Sequence, residues 1–512
     1  MTDLSDRAGV RQWLGLAVLV LPALLVAMDL SVLLFAVPFL SAELQPSGGQ
    51  LLWIMDVYGF LLAGLLVTMG TLGDRIGRRK LLLAGGVLFG LASVLAANAT
   101  SPELLIAARA LLGVGGATLA PSTLALIRAM FPDPAQRATA VSVWTAAFAG
   151  GAVLGPVLGG LLLENFHWGT AFLVNVPAMA LLLLLGPVLL PESRDPAPGR
   201  FDLLSARLSL LALLPAIYGI KRIAADGLGW LPVTAILLGL GFGLWFLRRQ
   251  RRPDPLLDLG LFRVPGFGTA ILAATLTLFA IGGITLFTAQ YLQTVLGYRP
   301  FVAALWGLPV FAGMAIGTAL GPALARRFRS GLVIAAGLVV GAAGLVLLTT
   351  VATDRTGLLA VVAGMTVTAL GLGLVTALAN DLVLAAAPPG RAGAASALSE
   401  TGTELGGALG MAVLGSIGIG LVYRGEITGA LPPGLPAAAA EAARDTPAGA
   451  VAVAEGLTGP AGPALAEAAR VAFVSGMQVT AAVAAGVLLA AAALCAMGRK
   501  TGVDQPDRVN TG

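Results

Sequence analysis

The sequence predicts an all-α polytopic membrane protein that crosses the bilayer fourteen times. Of its 512 residues, 57% are apolar and 11% are charged, and the mean hydropathy is +0.92. A soluble domain carries about 25% charged residues, so this chain has too little charge to cover a surface that faces water. Apolar runs of about 20 residues recur along its whole length, and each can cross a hydrocarbon core of ~30 Å. The sequence lacks the alternating segments of about ten residues that a membrane barrel requires.

The apolar runs follow one another in three groups. Six runs come first, two short ones joined by KRIAADGLGW follow after the Pro-rich connection PESRDPAPGRFD, and six more complete the chain. A long segment at 423–470 precedes the last run, and its AAAAEAARD and GPALAEAAR stretches predict one or two short amphipathic helices over the outer face. The predicted spans are 14–38, 50–71, 81–99, 103–127, 138–162, 169–190, 203–222, 230–247, 267–290, 301–324, 331–350, 356–380, 394–422 and 471–497.

The distribution of Lys and Arg orients these spans. DRIGRRK (74–80), RRQRR (248–252) and ARRFR (325–329) all lie on one side if the chain crosses fourteen times, whereas Lys221 and Arg222 fall in an outer loop. Because cytoplasmic loops carry an excess of Lys and Arg, we expect both termini to be cytoplasmic and prefer fourteen spans to twelve. The net charge of +5 and the pI near 9.8 then reflect loop charge, not a nucleic-acid surface.

Four acidic side chains lie deep within the predicted spans. Asp29 and Asp56 fall in the first and second spans, and Glu400 and Glu404 fall in the thirteenth, where their i,i+4 spacing puts them on one helix face. A charged group in hydrocarbon is costly, so these acids predict a site for protons or cations. Arg109 is the one deep cation that the sequence identifies, and static pairing with it is the alternative for one or two of the acids.

Two glycine-rich stretches accompany the acids. GTLGDRIGRRK (70–80) follows the second span and a degraded copy, GPALARRFRS (321–330), follows the tenth, which predicts two related halves. A loop that only fixes topology needs Arg, but it needs neither Asp74 nor glycines that let helices turn tightly. GAVLGPVLGG (151–160) combines glycines with a proline, as in a kinked and closely packed helix.

These stretches resemble the motifs of the major facilitator superfamily, and in particular those of its fourteen-helix drug:proton antiporters. GTLGDRIGRRK resembles the loop motif between the second and third helices, LIAARALLGVGGA (105–117) the fourth-helix motif, and GAVLGPVLGG the fifth-helix motif of antiporters. AMDLSVLLFAVPFL, WIMDVYGFLLAG, HWGTAFLVNVP and ASALSETGTELGGALG are similar to further segments of that branch, so the resemblance spans nearly the whole chain. Within the branch the chain is most similar to bacterial exporters of quaternary ammonium compounds and dyes.

The resemblance implies the major facilitator fold, which has two six-helix bundles, here with two extra central helices. The expected units are an N-terminal bundle at 1–200, two linker helices at 201–262, and a C-terminal bundle at 263–512 that includes the long outer loop at about 423–470. It also implies a multi-pass protein of the bacterial inner membrane that works as a monomer.

The resemblance further assigns roles to individual residues. Those expected to bind protons or cationic cargo are Asp29, Asp56, Glu400, Glu404 and Arg109, the last with a role in proton transfer. A latch that holds the bundles together in the outward-open state is expected at Gly70, Asp74, Arg75, Gly77 and Arg78. A bend and seal that decides to which side the cavity opens is expected at Gly151, Gly155, Pro156, Gly159 and Gly160.

Aromatic side chains near the acids are candidates for a substrate cavity, because aromatic faces attract desolvated cations. For any one of them, packing against lipid or a neighbouring helix is the alternative. The candidates are Trp53, Tyr58, Trp144, Phe148, Phe287, Tyr291 and Trp306.

Together these features predict a proton-coupled multidrug antiporter that exports lipophilic cations by alternating access. Quaternary ammonium compounds, dyes such as ethidium, and fluoroquinolones are the expected cargo, with protons and membrane lipids as further partners and no nucleic acid. The tenth span, WGLPVFAGMAIGTALGP, carries no acid and has Met314 where relatives linked to dications carry one, which favours monovalent cargo. The alternative is an exporter of the same fold for an antibiotic or another metabolite that the cell makes itself.

The sequence offers few residues that would support a function other than transport. With one cysteine, Cys495, and one histidine, we expect neither a disulfide nor a metal site, and no catalytic residues of an intramembrane enzyme. A membrane sensor would add a soluble domain, which we do not identify. The sequence also lacks a GxxxxGK[ST] phosphate loop, so we expect a proton gradient to drive transport without ATP or a cofactor.

Overall fold

The computed structural model describes residues 8–194, 202–252, 255–257, 259–264, 266–386 and 392–497, and no strand occurs among them. Fourteen of its helices are long and apolar enough to cross a membrane, which confirms the predicted number. In chain order they are α1 (Val10–Leu44), α2 (Gly48–Ile76), α3 (Arg78–Ala97), α4 (Pro102–Met130), α5 (Pro134–Asn165), α6 (Thr170–Leu189), α7 (Leu203–Asp226), α8 (Trp230–Arg249), α9 (Phe267–Val295), α10 (Pro300–Ala325), α11 (Ser330–Leu348), α12 (Gly357–Ala386), α13 (Ala392–Gly415) and α14 (Ala461–Met497).

Capping side chains explain where several of these helices begin. Ser47, Ser101 and Asp133 each accept a hydrogen bond from a backbone amide in the first turn of the helix that follows, at 3.2, 3.2 and 2.8 Å. Such an acceptor satisfies one of the amides that have no partner within the helix. Pro102 and Pro134 occupy the first helical position, where the missing N–H is not needed.

The long segment at 423–470 contains more helix than the sequence predicted. α13 continues through a wider π-helical turn, Ser416–Tyr423, to Ala430, and two short helices follow at Ala437–Asp445 and Pro447–Glu455. The last spanning helix begins at Ala461 and not at 471. Alanine has the highest helix propensity, so the Ala-rich stretch before the predicted span extends the helix outward.

The packing of the first six spanning helices repeats in the last six. In the first half (α1–α6), α1 packs on α5, α2 on α4, and α3 on α4 and α6. In the second half (α9–α14) the corresponding helices pair in the same order: α9 packs on α13, α10 on α12, and α11 on α12 and α14. This supports the internal repetition that the two charged loops predicted. The unit boundary proposed near residue 200 lies outside the described residues and stays a prediction.

The two linker helices, α7 and α8, form a hairpin beside the halves. α7 packs on α2 and on α13 with its π-helical turn, so it contacts both halves. α8 packs on α7 and exposes most of its apolar side chains, including Leu237, Leu244 and Trp245. At the open end of the hairpin, Arg249 Nη2 donates to Asp202 Oδ1 at 2.8 Å. Burial alone would raise the pKa of Asp202, but hydrogen bonds from Arg249 and Ser205 outweigh it and lower the pKa to about 2.

The halves meet where α2 packs on α13 and, near one end of the helices, where α5 packs on the start of α10. We call the end where α1 begins and α2 ends the amino-terminal side, and the end where α2 begins and α5 ends the opposite side. At the opposite side, Glu164 at the end of α5 pairs with Arg299 at 3.0 Å and accepts from the Phe301 amide of α10 at 3.1 Å. These contacts hold the two halves together at the opposite side in the described structure.

Candidate functional site

A buried ion pair joins the first, second and fourth spanning helices. Asp29 of α1 and Arg109 of α4 form a salt bridge, and their side chains are 2% and 0% exposed. Arg109 Nε also donates to the Ile54 carbonyl of α2 at 3.1 Å, and the guanidinium lies 4.7 Å from the centre of the Tyr58 ring. In this structure Asp29 is therefore an acid that pairs with Arg109, the alternative that the sequence left open.

Two polar residues that the sequence analysis missed extend this network. Asn175 of α6 donates to Asp29 Oδ1 at 3.4 Å and to Ser93 Oγ of α3 at 3.1 Å. Among the described residues, Asn175 Oδ1 and Arg109 Nη2 have no hydrogen-bond partner. Because buried polar groups are normally hydrogen-bonded, these two atoms are where a water molecule would bind. A lone amide within the apolar run AFLVNVPAMALLLLL was the signal that could have identified Asn175.

A second buried ion pair corrects the predicted position of Lys221. The sequence placed Lys221 in an outer loop, but α7 continues to Asp226, and the Lys221 side chain turns inward and is 3% exposed. Its Nζ donates to Asp56 Oδ1 at 2.8 Å and lies 4.0 Å from the centre of the Trp53 ring. Arg109 is therefore not the only deep cation of the described chain, and Asp56 has a partner from the linker hairpin.

Of the four deep acids, Glu400 and Glu404 of α13 are the two that have no basic partner among the described residues. Both side chains are half-buried, and neither forms an ion pair with a described residue. They lie one turn apart on the same helix face, as predicted, and each lies within electrostatic reach of the other. Glu404 also acts electrostatically on the Tyr58 hydroxyl, which has no hydrogen-bond partner among the described residues. Asp29 and Arg109 of the first half and Glu404 of the second therefore all lie within electrostatic reach of Tyr58.

The charged loop after α2 is fastened within the first half. Asp74 pairs with Arg78 one helical turn later. Gly77 has φ +109°, so the backbone conformation requires glycine, and a Cβ added there would lie 2.5 Å from Glu192 Oε1 and displace that carboxyl group. Glu192 Oε1 accepts from the Arg79 amide at 3.1 Å, which caps the start of α3.

The remaining residues of the expected latch are placed as follows. Gly70 lies on α2, and a Cβ added there would lie 3.9 Å from the Cβ of Pro121 on α4. Arg75 is exposed and makes no ion pair with a described residue. The sequence did not identify Glu192 as a partner, because the contact joins loops that are far apart in the chain. The latch between bundles stays a prediction, since the contacts described for this loop lie within the first half.

The glycine-rich stretch of α5 packs against two helices. A Cβ at Gly151 would lie 2.2 Å from the Leu24 carbonyl oxygen, and Gly155 and Gly159 likewise face the α1 backbone and Val32. Pro156 is buried within the helix. Gly160 faces the other half, where a Cβ would lie 2.7 Å from Phe301 Cα at the start of α10. This stretch therefore brings α1 close to α5 and also forms the joint between the halves.

The aromatic candidates are spread over several locations. The Trp53 ring contacts the Lys221 ammonium, and the Tyr58 ring contacts the Arg109 guanidinium. Trp144 stacks on Phe148 at 5.9 Å and donates to Thr123 Oγ1 at 3.1 Å. Phe287 packs on Phe473 at 5.6 Å inside the second half.

The last two aromatic candidates lie towards the ends of helices. The Tyr291 hydroxyl donates to the Ala352 carbonyl at 2.5 Å, and Trp306 is 36% exposed. The structure therefore brings two of the seven aromatic candidates, Trp53 and Tyr58, to charged groups of the acid set.

The sequence matches the family described as Major Facilitator Superfamily over residues 19–411. It is 45% identical to the multidrug efflux pump LfrA of Mycolicibacterium smegmatis over 96% of this chain and 97% of that protein. It is 35% identical to the methyl viologen resistance protein SmvA of Salmonella typhimurium over 94% of this chain and 96% of that protein. It is 31% identical to the tetracenomycin C resistance and export protein of Streptomyces glaucescens over 97% of this chain and 93% of that protein.

Solved transporter structures share the fold. The crystal structure of a bacterial homologue of the human lysosomal transporter Spinster, in an inward-facing and unoccupied conformation, aligns with a TM-score of 0.65 at 18% identity and covers 97% of this chain and 100% of that one. Family and relatives indicate a transporter and not an enzyme. With its fourteen spanning helices and its similarity to multidrug efflux pumps, the chain belongs to the major facilitator superfamily.

Proposed function

We propose that the protein is a proton-coupled multidrug efflux antiporter for lipophilic cations. The observation that carries this proposal is the Glu400–Glu404 pair, whose half-buried carboxyl groups have no cationic partner among the described residues. An acid at membrane depth is costly unless it is neutralised, so such a pair binds protons or a cation. Asp29 and Asp56 are already neutralised by Arg109 and Lys221, which leaves the two glutamates to exchange protons for cargo.

Competition for these carboxyl groups couples the two fluxes. On the cytoplasmic side protons leave, and a lipophilic cation from the cytoplasm or the inner leaflet takes their place. On the outer side protons return and displace the cation. The membrane potential contributes about 2.3 kcal/mol per 100 mV for each net positive charge that the exchange moves inward, and no cofactor or ATP takes part.

We propose that the amino-terminal side is cytoplasmic, in a bacterial inner membrane, and that the protein works as a monomer. The basic loops DRIGRRK, RRQRR and ARRFR support this orientation. The described contacts close the opposite side, which then faces outward, so the cavity would open to the cytoplasm. Asp74, Arg75 and Arg78 would make their latch contacts with the second half only after the alternate conformation forms.

Ethidium export provides the test. The purified protein in liposomes with an imposed proton gradient should move ethidium against its concentration gradient. Glu404→Gln and Glu400→Gln should each abolish gradient-driven transport, because the amide neither releases a proton nor pairs with a cation. Glu426→Gln, which changes an exposed acid further along the same chain segment, is the matched control and should transport normally. Normal transport by both of the first two variants would contradict the proposed coupling.

A cargo panel separates the finer claims. We propose monovalent cations as the main cargo, because α10 carries Met314 and no acid. Methyl viologen is a dication, and a relative is named for resistance to it, so it belongs in the panel beside ethidium and an anionic dye. Faster export of methyl viologen than of ethidium would contradict the preference for single charges.

Export of an antibiotic that the cell makes itself is the second candidate. Relatives named as a puromycin resistance protein, a tetracenomycin C resistance and export protein and a probable actinorhodin transporter favour it. These relatives are 31% to 34% identical, less than the 45% of LfrA. Deleting the gene and comparing secreted metabolites would decide: loss of one secreted compound with unchanged ethidium tolerance supports this second candidate.

A further inference from the structure

The linker hairpin places a cation in a site that has the composition of an alkylammonium receptor. The Lys221 ammonium lies 2.8 Å from Asp56 Oδ1 and 4.0 Å from the centre of the Trp53 ring. A carboxylate and an aromatic face are the two groups that proteins use to bind organic ammonium ions. Both side chains of the ion pair are almost completely buried, at 3% and 0% exposure. Here the ammonium belongs to the chain itself.

We propose that Asp56 and Trp53 form an alkylammonium site whose resident ligand is the Lys221 side chain, and that this tethered cation is required for the transport cycle. Lys221 acts through Asp56 and is a positioning residue. It neutralises one of the four deep acids from outside the two halves, because α7 is a linker helix. Because Lys221 neutralises it, Asp56 is not one of the acids that exchange protons for cargo.

A cleft reaches this site from the opposite side. The cleft is small, with a volume of about 30 Å³ for water-sized molecules, and its walls include Lys221, Leu52, Ser416 and Arg424. Two buried oxygen atoms here, Asp56 Oδ2 and Ser416 Oγ, have no hydrogen-bond partner among the described residues. Lys221 is a wall of this cleft and Asp56 lies behind it, so removing the Lys221 side chain beyond Cβ extends the cleft towards Asp56 and gives a small ammonium ion from solution a route to the carboxylate.

The site lies where α7 contacts both halves. On the side of α2, the hydroxyl of Ser209 donates to the Gly64 carbonyl at 3.2 Å, and Lys221 binds Asp56. On the side of α13 the contacts are apolar: Ile217 packs with Ala408, and a Cβ at Gly420 would lie 3.0 Å from that of Ala224. Loss of the ammonium would leave an unpaired carboxylate at this three-way contact, and breaking one side of a buried pair is strongly disfavoured.

The test is chemical rescue of Lys221→Ala. The atoms removed, Cγ to Nζ, are those of n-propylammonium, which is the probe. Without the probe, ethidium export by the variant should fall by roughly tenfold or more, because Asp56 is left unpaired. With millimolar n-propylammonium on the opposite side, export should recover and the melting temperature of the purified variant should rise. The neutral analogue 1-propanol should do neither, and the wild type with the same amine corrects for any collapse of the proton gradient.

Two further variants assign the rescue to the site. Trp53→Leu in the Lys221→Ala background should weaken the rescue, because the aromatic face is lost. Asp56→Asn with Lys221→Met should need no amine and should not respond to it, because no charge is left to neutralise. A response of this double variant equal to that of Lys221→Ala would overturn the proposal.

The melting readout keeps this inference separate from the proposed export function. If the wild type does not export ethidium, the proposed function fails, but stabilisation of Lys221→Ala by n-propylammonium still tests the site. Full activity of Lys221→Ala, or no effect of the amine on its melting and transport, overturns the inference. If Lys221→Ala does not accumulate in cells, it is expressed with the amine in the medium: recovery supports the site, and its absence overturns it.

Discussion

Gly160→Ala should destabilise the contact that holds the halves together at the opposite side. Gly160 lies near the end of α5 and faces the start of α10, four residues before Glu164, which binds the Phe301 amide and Arg299. A methyl group at this position has no free space on its side of the joint. The change leaves the interior of each half as it is, because the obstruction comes from the other half.

The magnitude follows from the distances. The added Cβ would lie 2.7 Å from Phe301 Cα, 2.8 Å from Phe301 N and 2.9 Å from the Pro300 carbonyl carbon, all of them backbone atoms. Ordinary contacts of this kind begin at 3.4 Å, so the helices must separate by several tenths of an ångström. Overpacking of this kind costs about 1–3 kcal/mol. Such a cost shifts the equilibrium between the joined and the separated state about 5- to 150-fold.

Alkylation of a cysteine at the joint measures this shift. With Cys495 replaced by alanine and Ala303 by cysteine, the thiol reports opening, because Ala303 is fully buried at the start of α10, which packs on α5, and the Glu164 contacts stay intact. The alkylation rate follows the population of the separated state when opening is fast. It should rise about 5- to 150-fold in Gly160→Ala. Ethidium export should fall, because the joined state becomes harder to reach.

Gly150→Ala is the matched control on the same helix. A Cβ at Gly150 meets no atom within 4 Å, so the alkylation rate should stay at that of the parent. Equal alkylation rates for the two variants would refute the assignment of Gly160 to the joint between the halves. A lower melting temperature with an unchanged rate would instead place its role inside the first half, which also contradicts the reasoning.

Two further predictions concern stability. Gly77→Ala should lower the melting temperature, because alanine is disfavoured at φ +109° and its Cβ would lie 2.5 Å from Glu192 Oε1. Gly486→Ala is the control and should leave the melting temperature unchanged, because a Cβ there meets nothing within 4 Å. Equal melting temperatures for the two variants would contradict this account. Asp202→Asn should destabilise at pH 7 by about 1 kcal/mol, because the pKa of Asp202 is lowered to about 2 in the folded protein from 3.8 and solvent screens part of the interaction with Arg249. Because the pKa of Asp202 is lower in the folded protein, its charge stabilises the fold above the pKa of the unfolded chain, and this contribution is lost as the pH falls through the folded pKa. The difference in melting temperature between wild type and variant should therefore shrink as the pH falls from about 4 to 2. A difference that grows there would refute the role of the Arg249 bond.

The number of spanning helices could be read from the sequence because hydrophobic length is a local property. Runs of apolar residues that cross ~30 Å appear in the sequence without knowledge of their neighbours. The limits of the helices were less accurate where Ala-rich stretches continue beyond the bilayer, as at Ala461. Asp29, Arg109, Glu400 and Glu404 could be named for the same local reason, since a charge within an apolar run is visible in one dimension.

The partners of these residues could not be predicted in this way. Lys221 lies at the end of an apolar run, where sequence reasoning assigns it to water, and only the packing of α7 on α2 turns it towards Asp56. Glu192 lies in a Pro-rich connection, and its contact with Gly77 depends on how α6 packs on α3. Both contacts join segments that are more than a hundred residues apart.

By itself the sequence determined the class of the protein, the number of its spans and the set of acids at membrane depth. Hydrophobic length, charge type and helical spacing are properties of neighbouring residues, so they need no fold. The tertiary structure decided which acids are neutralised: Asp29 by Arg109 and Asp56 by Lys221, with Glu400 and Glu404 left without a cation among the described residues. Neutralisation acts over a few ångströms in space, and helix packing alone brings distant parts of the chain within that range.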